Sequence, residues 1–77
     1  MNIPIVDVVV DIDETLDRQL RSQIEDNLRA MDGVVSIRNP DDRSHPILIA
    51  YNPDKTTNAA ILRTATNEGV HAELIGM

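Results

Sequence analysis

Four carboxylates crowd one short stretch of the sequence, in which an apolar run gives way to a helical pattern. They are Asp11, Asp13, Glu14 and Asp17. Carboxylate oxygens close to one another suit hard cations such as Mg²⁺ and Ca²⁺. Acids are also common on the solvent face of a strand and in the first turn of a helix, where they complement the positive end of the helix dipole. We therefore interpret the four as solvated and capping acids, and we keep an oxygen-ligand cation site as the alternative hypothesis.

The same stretch resembles the motif of the haloacid dehalogenase-like phosphatases at Asp11, Asp13, Thr15 and Leu16. In that family the first aspartate is the nucleophile and the second is the general acid and base, so the resemblance implies these roles for Asp11 and Asp13. Such an enzyme also needs a doubly wound parallel sheet, a phosphate-binding lysine and a later acidic pair for magnesium. A chain of 77 residues with a single lysine, Lys55, does not supply them. We predict a non-enzymatic protein without catalytic residues, and a phosphatase fragment is the third hypothesis.

Composition sets limits on the compartment and the partners. The 77 residues include 13 acidic and 7 basic side chains, a formal net charge of -6. This charge repels the phosphates of nucleic acids and of anionic membrane surfaces, so neither is an expected partner. The sequence has no cysteine, and therefore no disulfide framework and no thiolate metal site, and no apolar run approaches the length of a membrane span. We predict one small cytoplasmic domain over residues 1–77 that needs no cofactor.

A strand and a long amphipathic helix open the chain. Apolar and acidic residues alternate over residues 5–12, which is the pattern of a strand buried on one face. The core face of this strand is expected to carry Val8, Val10 and Ile12. Apolar residues then recur at steps of three or four, which predicts a helix. Its apolar stripe consists of Leu16, Leu20, Ile24, Leu28 and Met31. We expect Asp13 or Thr15 to cap this helix and Gly33 to end it.

The rest of the chain predicts a hairpin, a second helix and a final strand. The strands are expected over residues 34–38, 46–51 and 70–75. The polar turn 39–44 is short enough to join two antiparallel strands. Thr56 or Thr57 is expected to cap a helix over residues 58–68. The order βαββαβ predicts an α+β, ferredoxin-like fold, with a four-stranded antiparallel sheet and two helices on one face.

Core and turn residues along nearly the whole chain are spaced as in one known family. They are Ile24, Leu28, Gly33 and Val34 around the first helix, Ile49-Ala50-Tyr51-Asn52-Pro53 at a strand and its turn, and Ile61, Leu62, Ala65, Glu68 and Val70 near the second helix. In these features the chain resembles the heavy-metal-associated domain. The resemblance implies the fold of copper chaperones and of the N-terminal modules of copper-transporting ATPases.

The resemblance fails at the residues that bind metal in this family. Counting back from Gly33, its two Cys-x-x-Cys ligands fall at positions 17 and 20, where this chain has Asp17 and Leu20. Glu14 and Thr15 replace the Gly-Met that leads into the family's metal loop. Cu(I) prefers thiolate and thioether ligands, and neither a carboxylate nor a leucine supplies one. We therefore exclude copper chaperoning through thiolates, and soft metal ions are not expected partners.

The two histidines have no second ligand at metal-binding spacing in the sequence. His71 follows Val70, which stands where the family often carries an aromatic residue beside the metal loop. His45 is far from Val70 and His71 in the sequence. We interpret His45 and His71 as surface or strand-face residues and not as metal ligands.

These exclusions leave a small binding or regulatory module that acts through a protein partner or through self-association. The resemblance implies that Asp13, Glu14, Asp17 and Arg18 lie where the family docks partner proteins, and we predict a recognition surface there. The alternative function is an accessory domain that binds or transports metal ions through oxygen ligands near residues 11–17.

The open face of the sheet is a second candidate surface. Alternation predicts that it exposes Val9, Leu48 and Ala50 within an acidic border. Such a surface would suit a basic or self-complementary partner.

Overall fold

The computed structural model describes residues 4–39 and 46–75. The strands are β1 (Val6–Ile12), β2 (Val34–Arg38), β3 (Pro46–Tyr51) and β4 (Ala72–Ile75), and the helices are α1 (Arg18–Arg29) and α2 (Asn58–Thr66). Residues 40–44 of the predicted polar turn, and His45, lie outside the described residues. In the described part of the chain, neither helix is long and apolar enough to cross a membrane.

The four strands form one sheet in the order β2-β3-β1-β4, and each neighbouring pair is antiparallel. This topology confirms the predicted α+β, ferredoxin-like fold. Strand β4 begins at Ala72, two residues later than the sequence pattern predicted. An antiparallel sheet is also not the doubly wound parallel sheet that the phosphatase hypothesis requires, so the structure gives that hypothesis no support.

Alternation along β1 and β3 determines which strand residues enter the core. The buried apolar residues are Val8, Val10, Ile12, Ile47, Ile49 and Tyr51 from these strands, Ile24, Leu28, Ile61 and Ala65 from the helices, and Val70 before β4. No polar or charged side chain among the described residues is buried with them. Val9, Leu48 and Ala50, which alternate with the buried residues, are half-buried on the opposite face of the sheet. The predicted strand faces are confirmed.

The first helix begins later than the sequence pattern predicted. Its N-cap is Asp17, in an extended conformation, and neither Asp13 nor Thr15 takes that position. Leu16 therefore precedes the helix, although it still packs against the core. The delay has a tertiary cause, because the Asp13 N–H donates to the carbonyl oxygen of His71 at 2.8 Å and so stays with the sheet.

The other helix ends correct the sequence predictions in part. Helix α1 ends at Arg29, and its C-cap Ala30 has a right-handed conformation, so the prediction that Gly33 ends it is wrong. Gly33 does have a positive φ of 101°, but it lies in the turn that leads into β2. Thr57, one of the two predicted caps, begins α2, and its Oγ1 accepts a hydrogen bond from the Ala60 N–H at 3.1 Å. This helix ends at Thr66, before the predicted residue 68.

Candidate functional site

The loop between β1 and α1 is fastened to the residue that precedes β4. The Asp13 N–H donates to the carbonyl oxygen of His71 at 2.8 Å, which continues the pairing of β1 with β4 beyond Ile12 and Ala72. The Glu14 carboxylate adds two contacts with the same histidine. Its Oε1 accepts from the His71 N–H at 2.8 Å, and its Oε2 lies 3.0 Å from His71 Nδ1. We call this set of contacts among Asp13, Glu14 and His71 the loop clamp.

The loop clamp shifts two pKa values in opposite directions. Hydrogen bonds from the His71 ring and backbone hold the pKa of Glu14 below its ordinary value of 4.5. The side-chain bond to Glu14, followed by the attraction of its charge and a smaller one from Asp13, raises the pKa of His71 above 6.5. The His71 side chain is 82% exposed and that of Glu14 40%, so water screens the pair. The loop clamp therefore orients the loop more than it stabilises the fold.

The two positions that the resemblance assigns to metal ligands are used here to build the helix. Asp17 Oδ1 accepts a hydrogen bond from the Leu20 N–H at 2.7 Å, which satisfies one of the free donors in the first turn of α1. The carbonyl oxygen of Asp17 accepts from the Arg21 N–H at 3.1 Å. The side chain of Leu20 packs against the core. Position 17 therefore serves as a cap and position 20 as a packing residue.

Arg18, the fourth predicted contact residue, opens α1 and is exposed, as are Asp13 and Asp17. A shallow, open depression runs along the helix from this point. It is lined by Arg18, Gln19, Ser22, Gln23 and Asp26. We call the surface formed by Asp13, Glu14, Asp17 and Arg18 the loop surface. It presents charges of both signs to solvent, next to a polar helix face.

The predicted oxygen ligands occupy different environments. Asp11 lies within β1, opposite Pro46 on one side and Glu73 on the other. Glu14 contacts His71, and Asp17 caps α1. Among the residues that the structure describes, no group of three or more His, Cys, Asp or Glu could hold a metal ion. The oxygen-ligand site and the recognition surface both remain predictions.

The sequence pattern did not predict the contact between Glu14 and His71. The two residues are 57 positions apart, and local spacing contains no sign of the contact. One signal was available, because the resemblance placed Val70 and His71 beside the metal loop. An acid in that loop next to a histidine could have been read as a pair.

No protein-family model matches this sequence, and no curated protein matches it either. Solved structures match the fold closely. A copper binding domain from HMA7, a P-type ATPase, superposes with a TM-score of 0.81 at 14% identity, covering 91% of this chain and 93% of that one. Oxidized MerP from Ralstonia metallidurans CH34 gives 0.80 at 8% identity, covering 92% and 97%. The N-terminal soluble domains of Bacillus subtilis CopA give 0.79 at 22% identity, and the match covers 92% of this chain and 48% of that one.

These likenesses establish the fold of the chain. It has the ferredoxin-like fold of heavy-metal-associated domains, and the resemblance drawn from the sequence is confirmed at that level. The chain contains no cysteine, in agreement with the missing Cys-x-x-Cys loop.

Replacing Glu14 by Gln is expected to lower the pKa of His71 toward its ordinary value of 6.5, because the charge and the acceptor that favour the imidazolium are lost. Since the folded pKa of His71 is raised, its contribution to stability is fully present below pH 6.5 and is lost as the pH rises through the raised value. Glu14 has a lowered pKa, so its contribution is present above pH 4.5 and is lost as the pH falls through the lowered value. The contact between Glu14 and His71 is therefore strongest between pH 4.5 and pH 6.5.

The measurement is an NMR titration of the His71 ring protons in the unmodified chain and in the Glu14→Gln variant. Glu73→Gln is the matched control, because it removes a carboxylate from β4 without touching the loop clamp. An unchanged His71 pKa in Glu14→Gln would show that the contact does not form in solution.

Proposed function

We propose that this chain is a non-enzymatic protein-docking module that keeps the heavy-metal-associated fold and has given up soft-metal ligation. The docking surface is the loop surface formed by Asp13, Glu14, Asp17 and Arg18. The fold likeness to a copper binding domain from a P-type ATPase supports a binding role. The absence of cysteine from the sequence supports the loss of thiolate ligation.

One observation carries the proposal, namely the hydrogen bond from the Leu20 N–H to Asp17 Oδ1 at 2.7 Å. It joins the two positions that would carry the metal ligands, and it turns them into a helix cap. The Asp17 carboxylate is thereby engaged in a structural contact, and Leu20 has no ligand atom in its side chain. The loop clamp holds the other end of the same loop. A loop fixed at both ends is an ordered surface, which loses little conformational entropy when a partner binds.

The charges of the loop surface define the kind of partner. Asp13 and Arg18 are both exposed, and in the sequence they precede and follow the capping residue Asp17. Exposed charges at the rim of an interface act mainly through steering and selection of partners. The proposed partner is therefore a protein surface with complementary charges, and a nucleic acid is disfavoured by the net charge of -6.

The proposal is tested by site-specific photo-cross-linking in a lysate of the native host. A photoreactive residue at position 22, which lines the depression next to Arg18, is expected to give a cross-linked product of discrete mass. The same residue at position 63, exposed on α2, is the control site and is expected to give none. Reversing both charges with Asp13→Lys and Arg18→Glu should weaken the product about tenfold, because like charges then face the partner.

The double variant is expected to fold, because the loop clamp uses the backbone of Asp13 and the Arg18 side chain is exposed. Identical products from positions 22 and 63, or a product that survives both charge reversals, would refute docking through the loop surface.

A further inference from the structure

The face of the sheet turned away from the helices carries an apolar row. In a sheet, residues directly opposite each other point to the same side. Val9 of β1 lies opposite Leu48 of β3 and also opposite Ile75 of β4, so these three side chains form one continuous row across the sheet. Ile75 is 45% exposed, and the other two are half-buried. We call Ile75, Val9 and Leu48 the apolar row.

Carboxylates stand on both sides of the apolar row. Asp7 and Asp11 lie two residues before and after Val9 in β1, which places each about 7 Å from it on the same face. Glu73 lies two residues before Ile75 in β4. Among the described strand residues that face this way, Arg38 at the β2 edge, opposite Leu48, is the single cation. The acids are therefore concentrated on the β1 and β4 side of the face.

Two of these acids oppose each other directly. Asp11 pairs with Glu73 across β1 and β4, and like charges in this position repel each other and weaken a sheet. Among the residues that the structure describes, no basic side chain forms an ion pair with Asp11 or Glu73. A cation placed over this pair would therefore interact favourably with both carboxylates.

We propose that this open face docks a protein segment in which an aliphatic side chain is flanked by lysine or arginine. The aliphatic side chain would cover the apolar row, and the basic group would lie between Asp11 and Glu73. Charge complementarity selects this occupant over a second copy of the chain, because two such faces in contact would bring six carboxylates together against two arginines. This open face is separate from the loop surface, because it contains none of the residues that form the loop surface.

The test uses a synthetic peptide of alternating lysine and leucine, six residues long and blocked at both ends, added to the ¹⁵N-labelled chain. Saturable amide shifts are expected below about 1 mM peptide, confined to β1, β3 and β4 and including Val9, Leu48 and Ile75. A peptide of alternating glutamate and leucine is the control for the apolar contribution, and it is expected to cause no saturable shift.

Glu73→Lys separates the loss of binding from the loss of folding. The variant removes the repulsion of Asp11, so its urea unfolding midpoint should rise, while its affinity for the basic peptide should fall about tenfold. Equal shifts with both peptides, shifts confined to the β2 edge, no saturable shift, or shifts that depend on the concentration of the chain alone would each overturn the proposal. None of these results bears on cross-linking at position 22, so the two surfaces can fail independently.

Discussion

Cysteines introduced at positions 17 and 20 are expected to give this chain a Cu(I) site, whereas the unmodified chain leaves Cu(I) with a competing chelator. The double variant Asp17→Cys, Leu20→Cys supplies two soft ligands at the spacing of the heavy-metal-associated family. The backbone that carries them already has the fold of heavy-metal-associated domains. The measurement is a competition with the coloured Cu(I) complex of bicinchoninate. We expect the double variant to withdraw about one equivalent of Cu(I), because two thiolates outcompete aromatic nitrogen donors for a soft ion.

The single variant Asp17→Cys is the matched control for this gain of function. It loses the helix cap, which costs about 1 kcal/mol, but it supplies only one thiolate and should compete weakly. Circular dichroism checks that both variants remain folded, since Leu20 also contributes to packing around the core. Withdrawal of Cu(I) by the unmodified chain would refute the loss of soft-metal ligation. Failure of the folded double variant to bind would show that positions 17 and 20 do not correspond to the family's ligand positions.

The fold was predictable because its main signals are local and agree with one another. In β1, apolar core residues alternate with a period of two, so only one face of the strand can enter the core. Val8 and Val10 enter it only if Val9 faces the other way. The same alternation in β3 buries Ile47 and Ile49. The antiparallel pairing of these two strands then puts their buried faces on one side of the sheet, where the helices cover them.

The start of α1 was not predictable from the same signals. Asp13, Thr15 and Asp17 are all good capping residues, so propensity alone cannot choose among them. The choice is made by a tertiary contact, because the Asp13 N–H bonds to His71 and keeps that part of the chain in the sheet. Local pattern therefore placed the helix correctly but set its first residue too early.

The candidate site was predictable only in its location. The resemblance indicated the loop before α1, and the structure shows that Glu14 in this loop contacts His71. The contact itself depends on how β4 returns beside β1, which is a property of the whole fold and not of either residue. Exposed residues such as Arg18 carry still less information in sequence, because many side chains are tolerated at the surface.

Of the two glycines that the structure describes, Gly33 is the one at which an added side chain meets close neighbours. Its φ of 101° lies in the region that residues with a Cβ rarely adopt. A Cβ at this position would also lie 2.8 Å from Lys55 Cβ and 3.1 Å from Thr56 Cγ2, closer than such atoms pack. In addition, the carbonyl oxygen of Gly33 accepts a hydrogen bond from the Asn52 N–H at 2.7 Å, which ties this turn to the one that precedes α2. The chain can therefore not move away from the added atom without losing that bond.

Gly33→Ala is expected to lower the free energy of unfolding by about 3 kcal/mol, of which the positive φ contributes about 1 to 2 and the close contacts the rest. Gly69→Ala is the matched control, because Gly69 has a similar φ of 90° but nothing within 4 Å of an added Cβ, so only the cost of the positive φ, about 1 to 2 kcal/mol, remains. Urea unfolding followed by circular dichroism measures the loss in both variants.

A domain of 77 residues has a margin of stability of only about 3 to 5 kcal/mol, so Gly33→Ala should be partly unfolded at 25 °C. Equal losses in the two variants would show that the turns before β2 and α2 do not pack together in solution as they do in the structure.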